Sequence, residues 1–486
     1  MTRPTLRLHL ETTGDRHFDA ILGGGIPAQS VVVIAGAPGA GKTVLTLQML
    51  FQAAREGKTC LYVTTLSEPA IKLIRYMQFF DFFDADILDS RIILADLGAA
   101  VRESPERTMA ELSRLVREHE PNVIAIDSFK AIADLMPDSR AARAFSYELA
   151  TQTATWGATA FLLGEYGADE LSRRAEFAVA DGVIQLASER RELTSLRELE
   201  VLKLRGMAYV SGRHFFEIDH RGLLVYPRVK SPEMPPDRLP RAAAAPLSTG
   251  VDGLDMLLAG GIPPLSNTVI EGATGTGKTL LSLQYLIAGA RKGERGALFT
   301  LEETPDQLRA VADSLGWNLA ALEQKGLLSI VYDSPVELST DRYLQTARDH
   351  VARLNVTRAV LDSLTSLSLG VLSERRFKEL VYAFGKHMRV SGVTLLTTIE
   401  AEQLLGGEQL PGRGVSFVAD NLIRLRYLEK SARLERGISV LKARGVKHQT
   451  DIRRLTIDRG GLHVGGRGKT GVGGLSSRRR PTRRRA

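Results

Sequence analysis

Two copies of one loop set the architecture of this chain: Gly36-Ala37-Pro38-Gly39-Ala40-Gly41-Lys42-Thr43 and Gly272-Ala273-Thr274-Gly275-Thr276-Gly277-Lys278-Thr279. Each fits G-x-x-x-x-G-K-[ST] and follows a short apolar run, at residues 31–34 and 268–270. In such a loop the backbone N–H groups turn inward around a polyphosphate, the lysine adds a positive charge, and the threonine hydroxyl can bind Mg²⁺. The pattern therefore predicts two nucleotide-binding sites.

The repeat extends well beyond these loops. Lys278 lies 236 positions after Lys42, and an upstream pattern returns at the same offset, as Gly14, Asp19 and 24–27 against Gly250, Asp255 and 260–263. Downstream, two apolar runs end in an Asp-Ser pair 235 positions apart, and two Lys-x-Arg pairs lie 239 positions apart. An internal repeat of this length indicates two whole domains.

Length and composition agree with that organisation. The chain has 486 residues, 44% of them hydrophobic, which is enough for two cores of ordinary size. Residues 226–247 contain six prolines and a run of four alanines, a composition typical of a semi-rigid connector. We predict an N-terminal domain over 1–226, a linker over 227–247, a C-terminal domain over 248–464 and a tail over 465–486.

The net charge of +8 lies entirely in that tail, which carries eight basic residues and no acidic one. Its Gly/Ser/Arg-rich composition predicts disorder. Two interpretations remain open. The tail contacts nucleic acid, a nucleotide or an acidic protein surface, or it only adds solubility.

Other classes of protein are disfavoured. No run of about 18 apolar residues is present, and the N-terminus lacks the apolar core of a secretion signal, so we expect a cytoplasmic protein without a membrane segment. Cys60 is the only cysteine, which excludes an internal disulfide, and its apolar surroundings predict a buried thiol. The histidines form no H-x-x-x-H pair, which disfavours a structural zinc site.

Apolar runs alternate with longer mixed segments in each half, which predicts an α/β fold with a mostly parallel sheet flanked by helices. The expected core strands lie at 59–65, 91–94, 123–126 and 159–163, and at 296–301, 328–331, 359–361 and 393–398. Helices over 44–55 and 280–291 should open at the phosphate loops and point their N-termini at the nucleotide.

Asp127 and Asp362 end apolar strands at a suitable distance behind each phosphate loop. A carboxylate at this position organises Mg²⁺ and its waters, which is the Walker B pattern. We therefore predict Thr43 with Asp127, and Thr279 with Asp362, as the metal-binding pairs. A role as the N-cap of the following helix is also compatible with either aspartate, and it would not exclude metal binding.

Hydrolysis also needs a group that orients the attacking water, and the second half offers Glu302-Glu303 after its second strand. Counting to the next leucine aligns Glu68 with Glu303 and leaves Ser67 opposite Glu302. We predict Glu302, Glu303 and Glu68 as catalytic candidates, with Glu302 also near the metal. If the first glutamate is the base, the N-terminal site should hydrolyse more slowly. Otherwise either glutamate suffices, or the pair only supplies charge at a helix start.

At these residues the chain resembles the KaiC-like, double-domain branch of the RecA superfamily of P-loop NTPases. The resemblance covers roughly 12–461 and rests on the paired loops, the Gly-Ile-Pro entry segments, Leu-Glu-Glu-Thr-Pro, the Asp-Ser strand ends and Lys-x-Arg-Gly at 203–206 and 442–445. It implies tandem RecA-like domains, ATP and Mg²⁺ as cofactors, and a hexameric double ring with nucleotides between subunits. The resemblance also implies basic residues that reach a neighbouring subunit's ATP, as an arginine finger does. These would be Lys203, Arg205, Lys442 and Arg444, with Arg436 assisting.

The resemblance also implies autophosphorylation at adjacent Ser and Thr residues of the C-terminal ring. When this chain is aligned with the family through Asp420 and Tyr427, the two acceptor positions read Ser416-Phe417. Only one hydroxyl is kept, so we do not expect a two-site phosphorylation cycle. Ser416 is a candidate single acceptor, or an ordinary surface serine. Three functions remain open: an ATPase with serine autokinase activity, a RecA- or helicase-like DNA motor, and a nucleotide-gated scaffold with little turnover.

Overall fold

A computed structural model describes residues 8–65, 70–167, 169–191, 194–232, 245–336, 338–371, 373–401, 418–430 and 433–467. The chain divides into two compact units, Met1–Arg228 and Val229–Ala486. The predicted residues Ser67, Glu68 and Ser416, the middle of the predicted linker and most of the basic tail lie outside the described residues. The proposed domain boundaries stay predictions.

In the first unit the strands are β1 (Leu10–Glu11), β2 (Ile26–Pro27), β3 (Val31–Gly36), β4 (Cys60–Thr64), β5 (Ile92–Asp96), β6 (Val123–Asp127), β7 (Thr159–Gly164), β8 (Gly182–Arg191), β9 (Thr194–Leu204), β10 (Arg213–Asp219) and β11 (Gly222–Tyr226). Its helices are α1 (Arg16–Ile21), α2 (Lys42–Arg55), α3 (Ala70–Met77), α4 (Ala85–Arg91), α5 (Gly98–Glu103), α6 (Pro105–His119), α7 (Phe129–Asp134), α8 (Ser139–Trp156) and α9 (Ala175–Val179), with a 3₁₀ turn at Glu170–Ser172.

The second unit contains strands β12 (Asn267–Gly272), β13 (Gly296–Thr300), β14 (Leu328–Tyr332), β15 (Arg358–Asp362), β16 (Thr394–Glu400), β17 (Asn421–Lys430), β18 (Arg433–Ala443), β19 (Arg453–Asp458) and β20 (Gly461–Arg467). Its helices are α10 (Asp252–Leu257), α11 (Lys278–Ala290), α12 (Pro305–Ser314), α13 (Leu319–Gln324), α14 (Thr340–Leu354), α15 (Leu364–Leu367) and α16 (Glu374–Val390), with a 3₁₀ turn at Ser368–Gly370. Strand β20 continues to Arg467, three residues into the segment that we assigned to the tail.

The two large sheets have the same topology. Strand order is β11-β10-β9-β8-β3-β7-β6-β4-β5 in the first unit and β14-β13-β15-β16-β12-β17-β18-β19-β20 in the second. Six strands of each sheet pair in parallel, and three more extend it as an antiparallel meander. The prediction of two tandem RecA-like α/β domains is therefore confirmed. All eight predicted core strands are present, whereas the meanders were not predicted.

The phosphate-loop strands run through the middle of both sheets, and this position places the loops. Every residue of β3 and of β12 is buried, because helices cover both faces of a parallel sheet. The helices that follow begin at Lys42 and Lys278. They are preceded by Gly41 and Gly277, whose φ values of 102° and 106° lie in the left-handed region. A Cβ on Gly41 would also approach Ile218 to 2.7 Å. Glycine is thus required where the chain turns from strand to helix.

Two further predictions can be compared with the structure. Cys60 is a free thiol in the core, as predicted, and its burial raises its pKa to about 12. None of the helices in the described ranges has the length and apolar character needed to cross a membrane.

Candidate nucleotide sites

Each phosphate loop connects the end of a central strand to the start of a helix, so that both N–H-rich backbone and helix N-terminus face one point. The loop lysines reach back over their own loops. Lys42 Nζ donates to the carbonyl oxygens of Gly36 and Ala37, both at 3.0 Å. Lys278 Nζ donates to the equivalent oxygens of Gly272 and Ala273 at 2.8 and 3.1 Å. Burial lowers the pKa of Lys42, against the opposing charge of Glu165.

The predicted metal-binding pairs are in contact in both units. Thr43 Oγ1 donates to Asp127 Oδ2 at 3.1 Å, and Thr279 Oγ1 donates to Asp362 Oδ2 at 2.9 Å. A hydroxyl and a carboxylate are hard oxygen ligands of the kind that Mg²⁺ prefers, with phosphates and water supplying the rest. Among the described residues, no group of three or more aspartate, glutamate, histidine or cysteine side chains is placed to hold a metal ion.

The aspartates do not cap the following helices. The N-cap of each helix is the serine that follows the aspartate. Ser128 Oγ accepts a hydrogen bond from the Ala131 N–H at 3.3 Å, and Ser363 Oγ accepts one from the Ser366 N–H at 3.2 Å. Both Asp-Ser peptide bonds are cis. At the strand end, each carboxylate contacts the threonine of its phosphate loop.

A second hydroxyl supports each aspartate, and it differs between the sites. Tyr62 Oη donates to Asp127 Oδ2 at 2.6 Å, whereas Thr398 Oγ1 donates to Asp362 Oδ1. Burial raises the pKa of Asp362, and the hydrogen bonds from Thr398 and Thr279 oppose that rise. Sequence reasoning missed both supporting hydroxyls, although a Thr-Thr pair inside a buried strand such as β16 is a signal that could have been used.

The two acidic residues after β13 have different environments. Glu302 is exposed, and its Oε1 accepts hydrogen bonds from the hydroxyls of Ser363 and, at 2.9 Å, Ser366. Glu303 is half-buried, and its Oε2 has no hydrogen-bond partner in the described part of the chain. Burial raises the pKa of Glu303, and the charges of Asp362 and Glu302 raise it further. Helix α12 is capped by Thr304 through a capping box, so neither glutamate serves as its cap.

One more acidic residue per site was missed by sequence reasoning. Glu165 and Glu400 follow or end equivalent strands, β7 and β16, which lie beside the phosphate-loop strands. Glu165 lies 4.0 Å from Lys42 Nζ, and Glu400 accepts a hydrogen bond from the Thr274 hydroxyl of the second loop. An acidic residue at the carboxyl end of a strand beside the loop strand was the available signal.

The first site encloses a cavity of about 490 Å³ that is lined by Lys42, Thr43, Asp127, Glu165 and Arg197. Arg197 was not predicted, but it lies 239 positions before Arg436, the offset of the two Lys-x-Arg pairs. Arg436 is also near a phosphate loop: its Nε donates to the Gly275 carbonyl oxygen at 3.1 Å, and its guanidinium lies 5.7 Å from the Tyr427 ring centre. In this structure Arg436 thus contacts the loop of its own chain.

The first Lys-x-Arg pair lies at the opposite end of its sheet from the phosphate loop. Lys203 pairs with Val183, which pairs with Val33, three residues before the loop begins at Gly36. At about 3.3 Å per residue this is roughly 10 Å along the strand. Lys203 Nζ donates to the carbonyl oxygens at the end of α9, and Arg205 forms an ion pair with Asp181 at 3.2 Å.

The second pair repeats this arrangement. Lys442 pairs with Leu422, which pairs with Val269, again three residues before its loop. Lys442 Nζ donates to the Ala419 carbonyl oxygen at 2.6 Å, and Arg444 lies 3.6 Å from Asp420. Burial lowers the pKa of Lys203 and of Lys442, and the neighbouring arginine lowers each further. Neither pair is brought to the phosphate loop of its own unit.

Comparison with known proteins gives the same duplicated organisation. A family model described as the KaiC ATPase matches residues 12–230 and again residues 247–469. Circadian clock protein KaiC3 of Synechocystis sp. is 30% identical over 480 residues, which cover 93% of this chain and 91% of that protein. The circadian clock oscillator protein KaiC of Acaryochloris marina is 29% identical over 466 residues, covering 92% and 87%. The counterpart from Picosynechococcus sp. is 28% identical over 460 residues, covering 92% and 88%. The chain therefore belongs to the KaiC family of ATPases, with the family's domain present twice.

Proposed function

We propose that this protein binds ATP with Mg²⁺ in both domains and hydrolyses it mainly in the second. The observation that carries the proposal is the grouping of Thr279, Asp362 and Glu303 beside the second phosphate loop. The first two side chains would hold Mg²⁺, which neutralises phosphate charge when bound. Glu303 adds a carboxylate whose raised pKa suits it to accept a proton from water.

The remaining residues of the second site have separate roles in this proposal. Lys278 stays within reach of the phosphates at the start of α11 and offsets their charge. Glu302, held by two serine hydroxyls, orients the attacking water, and its predicted contact with the metal stays a prediction. Thr274, Gly275 and Thr276 supply the turn of the loop around the polyphosphate.

The first site has the same phosphate- and metal-binding groups as the second, but it differs at a position that we assign to hydrolysis. Lys42, Thr43 and Asp127 have the same contacts as their counterparts. The residue aligned with Glu302 is Ser67, which cannot hold a negative charge near the γ-phosphate. We therefore assign ATP retention with slow turnover to the first domain, with Glu68 as its remaining acidic candidate.

The proposal includes a ring in which each nucleotide lies between two copies of the chain. Its support is the position of the two Lys-x-Arg pairs, which are far from the phosphate loop of their own unit. In a closed head-to-tail ring, the surface that carries these pairs on one copy would face the phosphate loop of the next copy. The cations that would then approach the neighbour's γ-phosphate are Lys203, Arg205, Lys442 and Arg444. Ring size is expected to be six by family resemblance, and nucleotide state would set ring shape and partner binding.

Mixing two inactive variants tests the shared site. Lys278→Ala removes the loop lysine, and Lys442→Ala removes the cation offered to the neighbour. If the site is shared, co-assembled mixtures contain some interfaces with both groups intact, and phosphate release should reappear above that of either variant alone. Additive activity without recovery would place Lys442 outside the neighbour's site.

Two parts of the proposal rest on residues outside the described ranges. Ser416 is the candidate acceptor for autokinase activity in the second domain, and the Arg-rich tail is the candidate contact for nucleic acid or another polyanion. No contact within the described residues favours the DNA-motor function over the ATPase. The relatives are named as clock proteins, and a timing or signalling output for this chain stays a proposal.

The decisive experiment follows [γ-³²P]ATP with the full-length protein and records both free phosphate and label kept on the protein. Glu303→Gln and Glu302→Gln should each lose most phosphate release while still retaining ATP. Label present on the wild type and lost in Ser416→Ala would add autokinase activity. Stimulation by single-stranded DNA would favour the motor, and retention of ATP without phosphate release would leave only a nucleotide-gated scaffold.

A further inference from the structure

One serine hydroxyl near the second site contacts Glu302 and has no counterpart in the first domain. Ser366 lies in α15, which begins two residues after the end of β15. Its Oγ is 2.9 Å from Glu302 Oε1 and 3.2 Å from Ser363 Oγ. Glu302 is otherwise exposed, so these hydroxyls are what hold its carboxylate against the strand end that carries Asp362.

The duplication separates the roles of the two serines. At the offset of 235 that relates Asp127 to Asp362, Ser363 corresponds to Ser128 and Ser366 corresponds to Ala131. Both Ser128 and Ser363 cap the helix that follows, so that serine has a structural task in either domain. The hydroxyl of Ser366 has no such task, because Ala131 occupies the same helical position in α7.

The two domains differ both at Ser366 and at the catalytic candidate Glu302. The domain with Ser366 has Glu302, and the domain with Ala131 has Ser67 in the aligned place. Alanine is the better helix former, so helix stability alone gives no reason for serine at 366. At this helical position, a hydroxyl that can donate to the carboxylate is present only in the domain that has Glu302.

We infer that Ser366 is a positioning residue for Glu302. Its hydroxyl donates to the carboxylate and selects the side-chain conformation in which Glu302 lies beside Ser363 and the end of β15. A glutamate has three rotatable side-chain bonds, and an exposed one samples many orientations unless it is held. Ser366 does not touch the reacting atoms in this account, and it acts only through Glu302. The inference rests on the proposed hydrolysis at the second site.

The test measures kcat and KM for phosphate release in full-length Ser366→Ala, Ser366→Thr and Glu302→Gln, and in the double variant Ser366→Ala/Glu302→Gln. Losing a hydrogen bond to a charged group should lower kcat by about tenfold or more. KM for ATP should stay nearly unchanged, because the loop contacts are intact. Ser366→Thr keeps the donor and should retain most of the activity. The double variant should be no slower than Glu302→Gln.

Matched controls separate this role from a structural one. Ala131→Ser adds the same hydroxyl at the equivalent position of the first domain and should leave phosphate release unchanged. The thermal midpoint of Ser366→Ala should stay near that of the wild type. An equal loss in Ser366→Thr, a further loss on the Glu302→Gln background, or a raised KM with normal kcat would each overturn the inference.

Failure of the inference and failure of the proposed function give different results. If Glu302→Gln is slow and Ser366→Ala turns over like the wild type, only the positioning role is wrong. If Glu302→Gln itself turns over like the wild type, the proposed role of Glu302 is wrong, and the inference falls with it. A wild type that retains ATP but releases no phosphate overturns both.

Discussion

Replacing Thr398 with valine should weaken the second domain by an amount that depends on pH. Thr398 is fully buried, and its Oγ1 donates to Asp362, which is 2% exposed. Valine keeps the shape of the side chain but removes the donor. A hydrogen bond to a charged group contributes about 1.5–3 kcal/mol to stability. The more apolar valine recovers part of this, so we expect a net loss of about 1–2 kcal/mol in the free energy of unfolding.

The pH dependence follows from the ionisation of Asp362. Its pKa is raised above the ordinary value of 3.8 by burial, and the Thr398 hydroxyl limits the rise. Loss of the hydroxyl therefore raises the pKa further, and the added cost falls on the ionised form. A carboxyl group with a raised pKa in the folded state makes that state less stable as pH rises above the unfolded pKa. The difference between wild type and Thr398→Val should therefore grow with pH.

The two tryptophans allow this measurement in one domain at a time. Trp156 lies in the first unit and Trp317, which is nearly buried, lies in the second. In a Trp156→Phe background, urea unfolding followed by fluorescence reports the second unit at about pH 5 and about pH 8. Tyr62→Phe, which removes the equivalent donor to Asp127, is the control and should not shift the Trp317 transition. A Thr398→Val loss that is the same at both pH values would refute the reasoning.

Three other changes test the site. Lys442→Ala should lower phosphate release by about 10³-fold while ATP retention on filters stays close to wild type; normal turnover would show that the finger assignment is wrong. Burial raises the pKa of Asp362, so the rise in melting temperature caused by Mg²⁺-ATP should shrink as pH falls through that pKa, since a protonated carboxyl group binds the metal poorly. A constant rise would contradict this. In a Lys278→Ala background that silences the second loop, Ser67→Glu should increase the remaining phosphate release, and no increase would indicate that Glu68 already suffices.

The loops and the central strands could be predicted because their requirements are local. A left-handed glycine before the lysine and an unbroken apolar strand before the loop are visible in any single stretch of the chain. The meanders formed by β9, β10 and β11 and by β18, β19 and β20 were harder to predict. Their strands are half-exposed and their pairing depends on hairpin turns, although Gly222 and Gly461, with φ values of 113° and 110°, mark two of these turns.

The residues of the site also divide into those that could be predicted from a local motif and those that could not. Residues inside a motif were found, whereas Tyr62, Thr398, Glu165 and Arg197 were missed because each acts through a strand end that is distant in sequence. Sequence gives the type of such a side chain but not its partner. The duplication could have narrowed the search, because positions such as Ala131 and Ser366 differ together with Ser67 and Glu302. A comparison of the two halves, looking for positions that differ together, would have pointed to these residues.

The two phosphate loops have nearly the same internal contacts. The distances from each lysine to its loop carbonyls, and from each threonine to its aspartate, agree between the domains within 0.2 Å. In our proposal these contacts fix the groups that would hold phosphates and metal, so we expect both sites to bind ATP alike. The differences lie instead at Ser67 against Glu302 and at Ala131 against Ser366, on the water side of the γ-phosphate in our proposal. Hydrolysis, and not affinity, is therefore the property in which the two domains should diverge. In the ring that we propose, a first domain that keeps ATP bound would stabilise the assembly while the second domain hydrolyses ATP.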